Sequence, residues 1–334
     1  MIEHTGVLIF AEAVDGKLAP ITRELLGIGR KLADDLREDL SALVVGNSVA
    51  NVADEAIAFG ADKVYLAEDP QLQDYSTDSY TAVVEKTVKL INPRILLLGQ
   101  TDIGRDLAPR VAFRLSTAVT MDCVALEIEA ATKLLLQTKP VYGGNAQAVY
   151  TTKTFPQAAT VRAKAMTALT LDYARRGGVV KIDAGPHGAD VRTWVVRKVV
   201  QEVEGVKLED ASVIISGGRG IGGPEGFKQL EELAKVLKGA LGASRPPCDS
   251  GWVKDTLQIG LTGKIVAPDV YIAVAISGTG QHLAGCSGAK NIVAINRDPE
   301  ANIFTVARFG AVGDWQNVLP AFQKTVEELQ EKQQ

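Results

Sequence analysis

The sequence predicts an α/β protein in two domains. The first, over 1–190, is an α/β domain built on a parallel sheet with an antiparallel extension, and a second α/β domain occupies 196–330. Three observations carry that expectation. Short continuous apolar runs alternate with segments whose apolar residues recur at helical spacing, as in strands buried on both faces and the helices that cover them. The alternation breaks between about 123 and 195 and then resumes. The length, 334 residues, also suits two cores rather than one, at roughly 150 residues per domain.

Gly6-Val7-Leu8-Ile9-Phe10-Ala11 reads as a buried strand, and Ile21, Leu25, Ile28, Leu32 and Leu36 line one helix face. Ser41 to Gly46 is the next strand and 49–59 the next helix; Lys63 to Ala67, a helix around 77–90, and Arg94 to Gly99 extend the series. From Cys123 to Leu171 short β-like runs take over, at Val124 to Ile128, Leu134 to Gln137, Ala146 to Thr152 and Ala158 to Val161, and these form the expected antiparallel extension. Residues 172–195 are rich in Gly, Arg and Asp and read as a linker, with a hinge expected near 190–200. The second series starts near Val196, with strands at Ser212 to Ser216, near Ala240 to Ala243, at Val270 to Ile276 and at Asn291 to Asn296. Phe227, Leu230, Leu233, Ala234, Leu237 and Leu241 are expected on one helix face, and Trp315, Val318, Leu319, Phe322, Val326 and Leu329 on the last.

Composition removes several classes of function. Lys plus Arg is 36 against 40 for Asp plus Glu, and no basic run stands out, so nucleic acid is not an expected partner. No apolar run approaches the ~20 residues needed to span a bilayer, so no membrane insertion is expected. The start Met1-Ile2-Glu3-His4 has no secretory pattern, and the cysteines, Cys123, Cys248 and Cys286, lie far apart with no Cys-x-x-Cys. Reduced thiols in a cytoplasmic or mitochondrial matrix compartment are the expectation, and no metal-ligand cluster is apparent.

Three segments can carry chemistry. Ser216-Gly217-Gly218-Arg219-Gly220-Ile221-Gly222-Gly223-Pro224 follows a strand and opens a helix, and its residues 218, 220 and 223 satisfy G-x-G-x-x-G. Glycines admit a pyrophosphate and the helix start offers free N–H groups, which points to a Rossmann-like domain; a tight turn needs the same glycines. The second strand ends in Ser244-Arg245 rather than an acid, which by the dinucleotide rule hints at NADP. Ile276-Ser277-Gly278-Thr279-Gly280-Gln281-His282 is a second small polar turn after a strong strand. The third group is Gln258-Ile259-Gly260-Leu261-Thr262-Gly263-Lys264, Asn296-Arg297-Asp298-Pro299-Glu300-Ala301 and Gly313-Asp314-Trp315. No nucleophile–base arrangement surrounds His282, so hydrolysis is poorly supported.

Taken in order, these segments, with Ser244-Arg245 and Asp249-x-Gly251-Trp252, closely resemble the FAD-binding domain of the electron transfer flavoprotein alpha subunit family. Gly104-Arg105-Asp106-Leu107-Ala108-Pro109-Arg110 in the first domain resembles the same family more loosely, so the likeness spans nearly the whole chain. The resemblance implies FAD in this chain, with Arg219 and Ser244 as contacts and the Arg245 guanidinium against the flavin ring, where it favours an anionic reduced flavin. It implies Thr262 near flavin N5 with Gln258, Ile259, Gly260 and Leu261 as its loop. Ser277, Gly278, Thr279, Gly280 and Gln281 match ribityl and pyrophosphate contacts, and His282 matches an imidazole near the pyrimidine carbonyl. Asn296, Asp314 and Trp315 match positions around the adenosine half.

The sequence departs from the family pattern at Leu261 (usually Gln), Ala275 (Gly), Thr279-Gly280 (Ala-Ile), Cys286 (Met) and Arg308-Phe309 (Asp-Tyr). Leu261 and Arg308 are expected to alter flavin potential or solvent access. The family likeness implies an electron carrier rather than an enzyme with its own substrate. It also implies pairing with a beta subunit that holds AMP or a second FAD, a flavin dehydrogenase such as an acyl-CoA dehydrogenase as donor, and a quinone reductase as acceptor. The alternatives are an NADP-dependent oxidoreductase built on the 218–223 loop and a nucleotide-binding regulator using the first domain.

Overall fold

A computed structural model describes residues 4–14, 16–144, 146–184, 191–193, 195–199 and 206–332. Two compact units divide the chain, 1–141 with 146–199, and 142–145 with 200–334. Much of the expected boundary and hinge near 190–200 lies outside the described residues.

The first unit is organised by a seven-stranded sheet in which every neighbour pair is parallel. Its strands run in the spatial order Gly178–Lys181, Lys63–Glu68, Leu40–Gly46, Val7–Ala11, Ile95–Gly99, Gln157–Val161, Val119–Cys123. Val7, Ile9 and Ala11 join one core layer and Leu8 and Phe10 the other, because successive side chains point to opposite faces. Both faces are covered, so the strand reads as an unbroken apolar run. Helices Pro20–Leu36 and Ala50–Ala58 bury Leu25, Leu32, Val52 and Ala56 in the first layer. Helices Thr77–Ile91 and Asp102–Arg114 bury Val84, Val88, Leu107 and Val111 in the second.

Two expectations are corrected here. Ala125–Ile128, Leu135–Val141 and Ala146–Tyr150 do form an antiparallel three-stranded sheet, but the run at Ala158 to Val161 is not part of it. That run sits inside the parallel sheet between Ile95–Gly99 and Val119–Cys123. Its partners are distant in sequence, and nothing local to the run specifies them. The expected linker likewise contains a strand, Gly178–Lys181, which pairs with Lys63–Glu68 at the sheet edge and is exposed along its length.

The second unit carries a five-stranded parallel sheet in the order Ala240–Ala243, Val213–Gly217, Val270–Val274, Asn291–Asn296, Phe309–Val312. Numbered along the chain this is 2-1-3-4-5, so strand order reverses between Val213–Gly217 and Val270–Val274. Helices Pro224–Val236 and Trp315–Glu331 cover one face, where Phe227, Leu230, Leu233 and Trp315 pack on Ile215, Ile272 and Ile295. Leu241 belongs to a strand rather than to the helix face predicted for it, since that helix ends at Val236. The opposite face carries the shorter helix Gly280–Cys286 and the segment around Ile259 and Val266, packed on Ile214, Tyr271 and Ala294. No helix among the described residues is long and apolar enough to cross a membrane.

Candidate functional site

The residues that the family resemblance assigns to FAD lie beside the C-terminal ends of strands of the second sheet, the side on which open α/β sheets bind ligands. At the reversal point the chain leaves Val213–Gly217 through Gly218. A β-carbon there would lie 2.1 Å from the Ala275 carbonyl oxygen, so only glycine fits. Arg219–Ile221 make a single 3-10 turn, and Gly222 takes φ +90, which glycine alone adopts freely. Pro224 then starts the helix from its first turn. Added β-carbons at Gly222, Gly223 and Gly280 would meet nothing within 4 Å, so these backbones border open space. Arg219 is exposed and forms no ion pair among the described residues.

Ser244 is buried, and its N–H donates to the Gly217 carbonyl at 3.0 Å. Arg245 follows at the head of the short helix Arg245–Asp249, whose next residues are Pro246 and Pro247. Its exposed guanidinium pairs with Asp249 one turn later at 3.1 Å.

The 258–262 loop is tied down on three sides. The Ile259 N–H donates to the Ala243 carbonyl at 2.8 Å, the Lys264 N–H to the Gln258 carbonyl at 2.8 Å, and the Leu261 N–H to the Gln281 carbonyl at 2.7 Å. Gly260 and Gly285 permit the close crossing, since a β-carbon on Gly285 would stand 2.3 Å from the Gly260 nitrogen. Gln258 Nε2 donates to Thr262 Oγ1 at 3.0 Å, while Leu261 and Thr262 face outward.

The 277–281 turn is anchored from behind. Asn296 Nδ2 donates to the Ile276 carbonyl at 2.8 Å, and the Ile303 N–H donates to the Ser277 carbonyl at 3.1 Å. Gly278 is left-handed at φ +79. Ser277, Thr279, Gly280 and Gln281 are exposed. Asp314 caps the last helix by accepting from the Gln316 N–H at 2.9 Å, and Trp315 is buried in the core against Gly226.

His282 is placed otherwise than its family role suggests. It is buried, and both ring nitrogens are engaged: Nδ1 lies 3.0 Å from the Ile259 carbonyl oxygen and Nε2 lies 2.9 Å from the Tyr271 hydroxyl. Burial pushes the imidazole down to about 4, against the opposing effect of the hydrogen bond it donates to the Ile259 carbonyl. No N–H of the ring is left to donate to a ligand. Arg308 is also displaced from expectation. It precedes the strand Phe309–Val312, donates to Asn291 Oδ1 at 2.7 Å, and so lies at the N-terminal ends of the strands, opposite the site.

The donor set fits an anionic dinucleotide. Two guanidiniums, exposed hydroxyl and amide groups at Thr262, Ser277, Thr279 and Gln281, and glycine backbones border one end of the sheet. These are the groups that receive phosphate and ribityl oxygens. Sequence reasoning missed Tyr271, which it read only as part of an apolar strand. The signal was a hydroxyl in a run otherwise free of polar groups, since a buried Tyr seeks a hydrogen-bond partner.

Fold and site together define an α/β nucleotide-binding protein. Residues 7–187 match the family described as the electron transfer flavoprotein domain, and residues 207–287 the electron transfer flavoprotein FAD-binding domain. The chain is 44% identical over 330 residues to the electron transfer flavoprotein subunit alpha of Thermoanaerobacterium thermosaccharolyticum, covering 98% of this chain and 100% of that one. It is 42% identical to the subunit alpha of Megasphaera elsdenii (98% and 97% covered) and 40% identical to that of Bacillus subtilis (97% and 98% covered). The chain belongs to the electron transfer flavoprotein alpha subunit family: it is an electron carrier with an FAD-binding domain rather than an enzyme with a substrate of its own. Nothing in these matches supports the NADP-dependent alternative.

Proposed function

We propose that residues 196–330 hold a single FAD at the strand reversal and that the first unit holds none. The observation that carries this reading is the glycine-lined opening at 218–223, flanked by Arg219 and Arg245. In this reading the backbone N–H groups of that turn, Arg219, and the 277–281 turn bind the pyrophosphate and ribityl chain. Ser244, Asn296, Asp314 and Trp315 shape the remainder, with Trp315 acting through packing. Arg245 supplies a fixed positive charge beside the isoalloxazine, while Thr262 and its neighbours Gln258 to Leu261 border the ring. FAD bound there supplies reversible one- and two-electron redox chemistry.

The chain then works as the alpha subunit of a heterodimer whose beta subunit carries AMP or a second FAD. It takes electrons from a flavin dehydrogenase, the acyl-CoA dehydrogenases being the model case. It passes them to a quinone reductase, in the cytoplasm or a mitochondrial matrix. Copurification with the beta subunit and spectroscopic flavin counting test the assembly. Extraction of flavin from separately produced 1–170 and 196–330 fragments tests the placement, and FAD on the first fragment overturns it.

A further inference from the structure

We infer that Tyr271 is a positioning residue for the flavin loop. Its hydroxyl fixes the tautomer of His282, and His282 in turn holds the Ile259 carbonyl and with it the 258–262 segment. The inference rests on the reading that this segment borders the flavin.

The geometry admits one assignment of protons. A carbonyl oxygen only accepts, so at 3.0 Å from the Ile259 carbonyl His282 Nδ1 carries the hydrogen. A neutral ring then has a lone pair on Nε2, and the Tyr271 hydroxyl, 2.9 Å away, donates to it. Neutrality follows from burial: His282 and Tyr271 are 5% and 0% exposed, and among the described residues the groups acting on the two rings are the Ile259 backbone, Ser216 and Cys286, with no carboxylate to balance an imidazolium. The titratable group facing them from the Gly280–Cys286 helix is the Cys286 thiol, itself buried and pushed up to about 12.

The chain of contacts crosses three elements. Tyr271 stands on the strand Val270–Val274, His282 on the helix Gly280–Cys286, and Ile259 at the start of the loop that bears Thr262. Ile259 is itself buried, and its N–H is held by the Ala243 carbonyl. The backbone N–H and C=O of Ile259 are therefore both fixed, one by the neighbouring strand and the other by the imidazole. The Tyr271 hydroxyl also lies beside the buried Ser216 hydroxyl; without the Tyr271 hydroxyl Nε2 loses its donor in a dry site, which favours turning or flipping the ring to find another. Either movement releases the Ile259 carbonyl.

The test is nitrogen NMR of the His282 ring in the complete two-subunit complex, flavin-free and FAD-loaded, for the native chain and for Tyr271→Phe. That substitution removes one oxygen from a position whose ring packing it preserves. The native complex is expected to show protonated Nδ1 and bare Nε2 in both forms. Tyr271→Phe is expected to lose that single tautomer and to weaken FAD binding by about tenfold, the scale of one orphaned buried polar group. A merely structural Tyr would lower the unfolding temperature and leave the imidazole signals in place. Native His282 found with protonated Nε2, or as an imidazolium at neutral pH, overturns the inference even if the Phe variant fails to fold. Unchanged FAD affinity in a folded Tyr271→Phe complex overturns the positioning role. Because the flavin-free form is measured as well, a complex that takes up no FAD refutes the functional reading while the tautomer is still read.

Discussion

Both units are organised by a parallel sheet in which strand order reverses beside the first strand, yet the two reversal points are built in opposite ways. In the first unit the reversal falls between Val7–Ala11 and Ile95–Gly99. There the buried Glu12 carboxylate accepts from Thr101 Oγ1 at 2.7 Å. A β-carbon on Gly99 would stand 2.7 Å from Ile21, and one on Gly104 would stand 1.8 Å from the Gly99 carbonyl oxygen. Side chains and a closely seated helix fill the space. In the second unit the same place is bordered by Gly218, Gly222 and Gly223, the last two facing open space. Topology offers a crevice in both cases, and the residues directly after the strands decide whether it stays open.

The sharpest way to break this comparison is to close the second crevice. In Gly218→Ala the new methyl carbon would sit 2.1 Å from the Ala275 carbonyl oxygen, a clash with backbone that no rotamer relieves. FAD content of the purified complex is expected to fall at least tenfold, measured as flavin absorbance per chain. Glu12→Gln, at the matching place in the first unit, is expected to leave it unchanged. Equal flavin in Gly218→Ala would mean that the opening does not hold the cofactor.

A buried titratable group in each unit is also shifted in the opposite direction, Glu12 upward and His282 downward. Burial raises Glu12 from 4.5 to about 7, with the Thr101 hydrogen bond opposing and Asp102 adding to the rise. Between those values the folded unit keeps a proton that the unfolded chain has lost, so its stability falls as pH rises through the window. The loss above the window is roughly 3 kcal/mol. His282 falls from 6.5 to about 4 through burial, so the unfolded chain binds the extra proton and the second unit weakens as pH drops through that range. Unit-resolved hydrogen exchange on the full chain, corrected for intrinsic rates, should show opposite slopes between pH 5 and 6.5. Glu12→Gln should flatten the first slope alone. Parallel slopes in both units would remove these two groups as the cause.

What was legible in the sequence follows the same division. Strands buried on both faces announce themselves as apolar runs, so Val7–Ala11 and Val270–Val274 could be placed without a structure. Gly178–Lys181 could not, because an exposed edge strand carries no apolar signature and its partner Lys63–Glu68 is distant in sequence. Val119–Cys123, with Thr120 and Asp122 in its length, was hidden for a similar reason. Within the site, glycine and small polar residues mark the ends of strands, and so Gly218 and Ser277 could be read directly. The engagement of His282 could not: its partners Ile259 and Tyr271 are 23 and 11 residues away, brought together by a helix crossing a loop. Arg308 looked like a site substitution until the strand register put it at the other end of the sheet.

A smaller effect is expected at Arg245, the movable charge of the open crevice. Its guanidinium is exposed and shared with Asp249, so solvent screens it. Arg245→Ala is expected to lower the reduction potential of the bound flavin by on the order of 50 mV, as for one screened charge. Potentiometric titration of the complex measures it, and an unchanged potential would separate Arg245 from the flavin.

The smallest effect concerns the one side chain at the mouth of the open crevice that runs against its glycine lining. Ala275 has φ +53, in the left-handed region, where the family pattern has Gly. An L-residue there costs about 1–2 kcal/mol, and glycine gives back roughly 0.5–1 kcal/mol through the greater freedom of the unfolded chain. Ala275→Gly should therefore stabilise the second unit by about 1 kcal/mol or less, raising its unfolding midpoint by roughly 2–5 °C. The methyl group also stands 3.0 Å from where a β-carbon on Gly220 would lie, so its removal widens the turn only slightly. FAD affinity is expected to change less than threefold, about 0.7 kcal/mol. Calorimetry of the flavin-free chain and flavin titration of the complex measure the two quantities. Gly218→Ala adds a methyl carbon 2.1 Å from the Ala275 carbonyl oxygen, a backbone contact that Ala275→Gly leaves in place, so the two substitutions probe opposite sides of one turn. If both substitutions destabilised the unit, the strain at Ala275 would be serving the packing of the turn, and the crevice would owe its opening to more than its glycines.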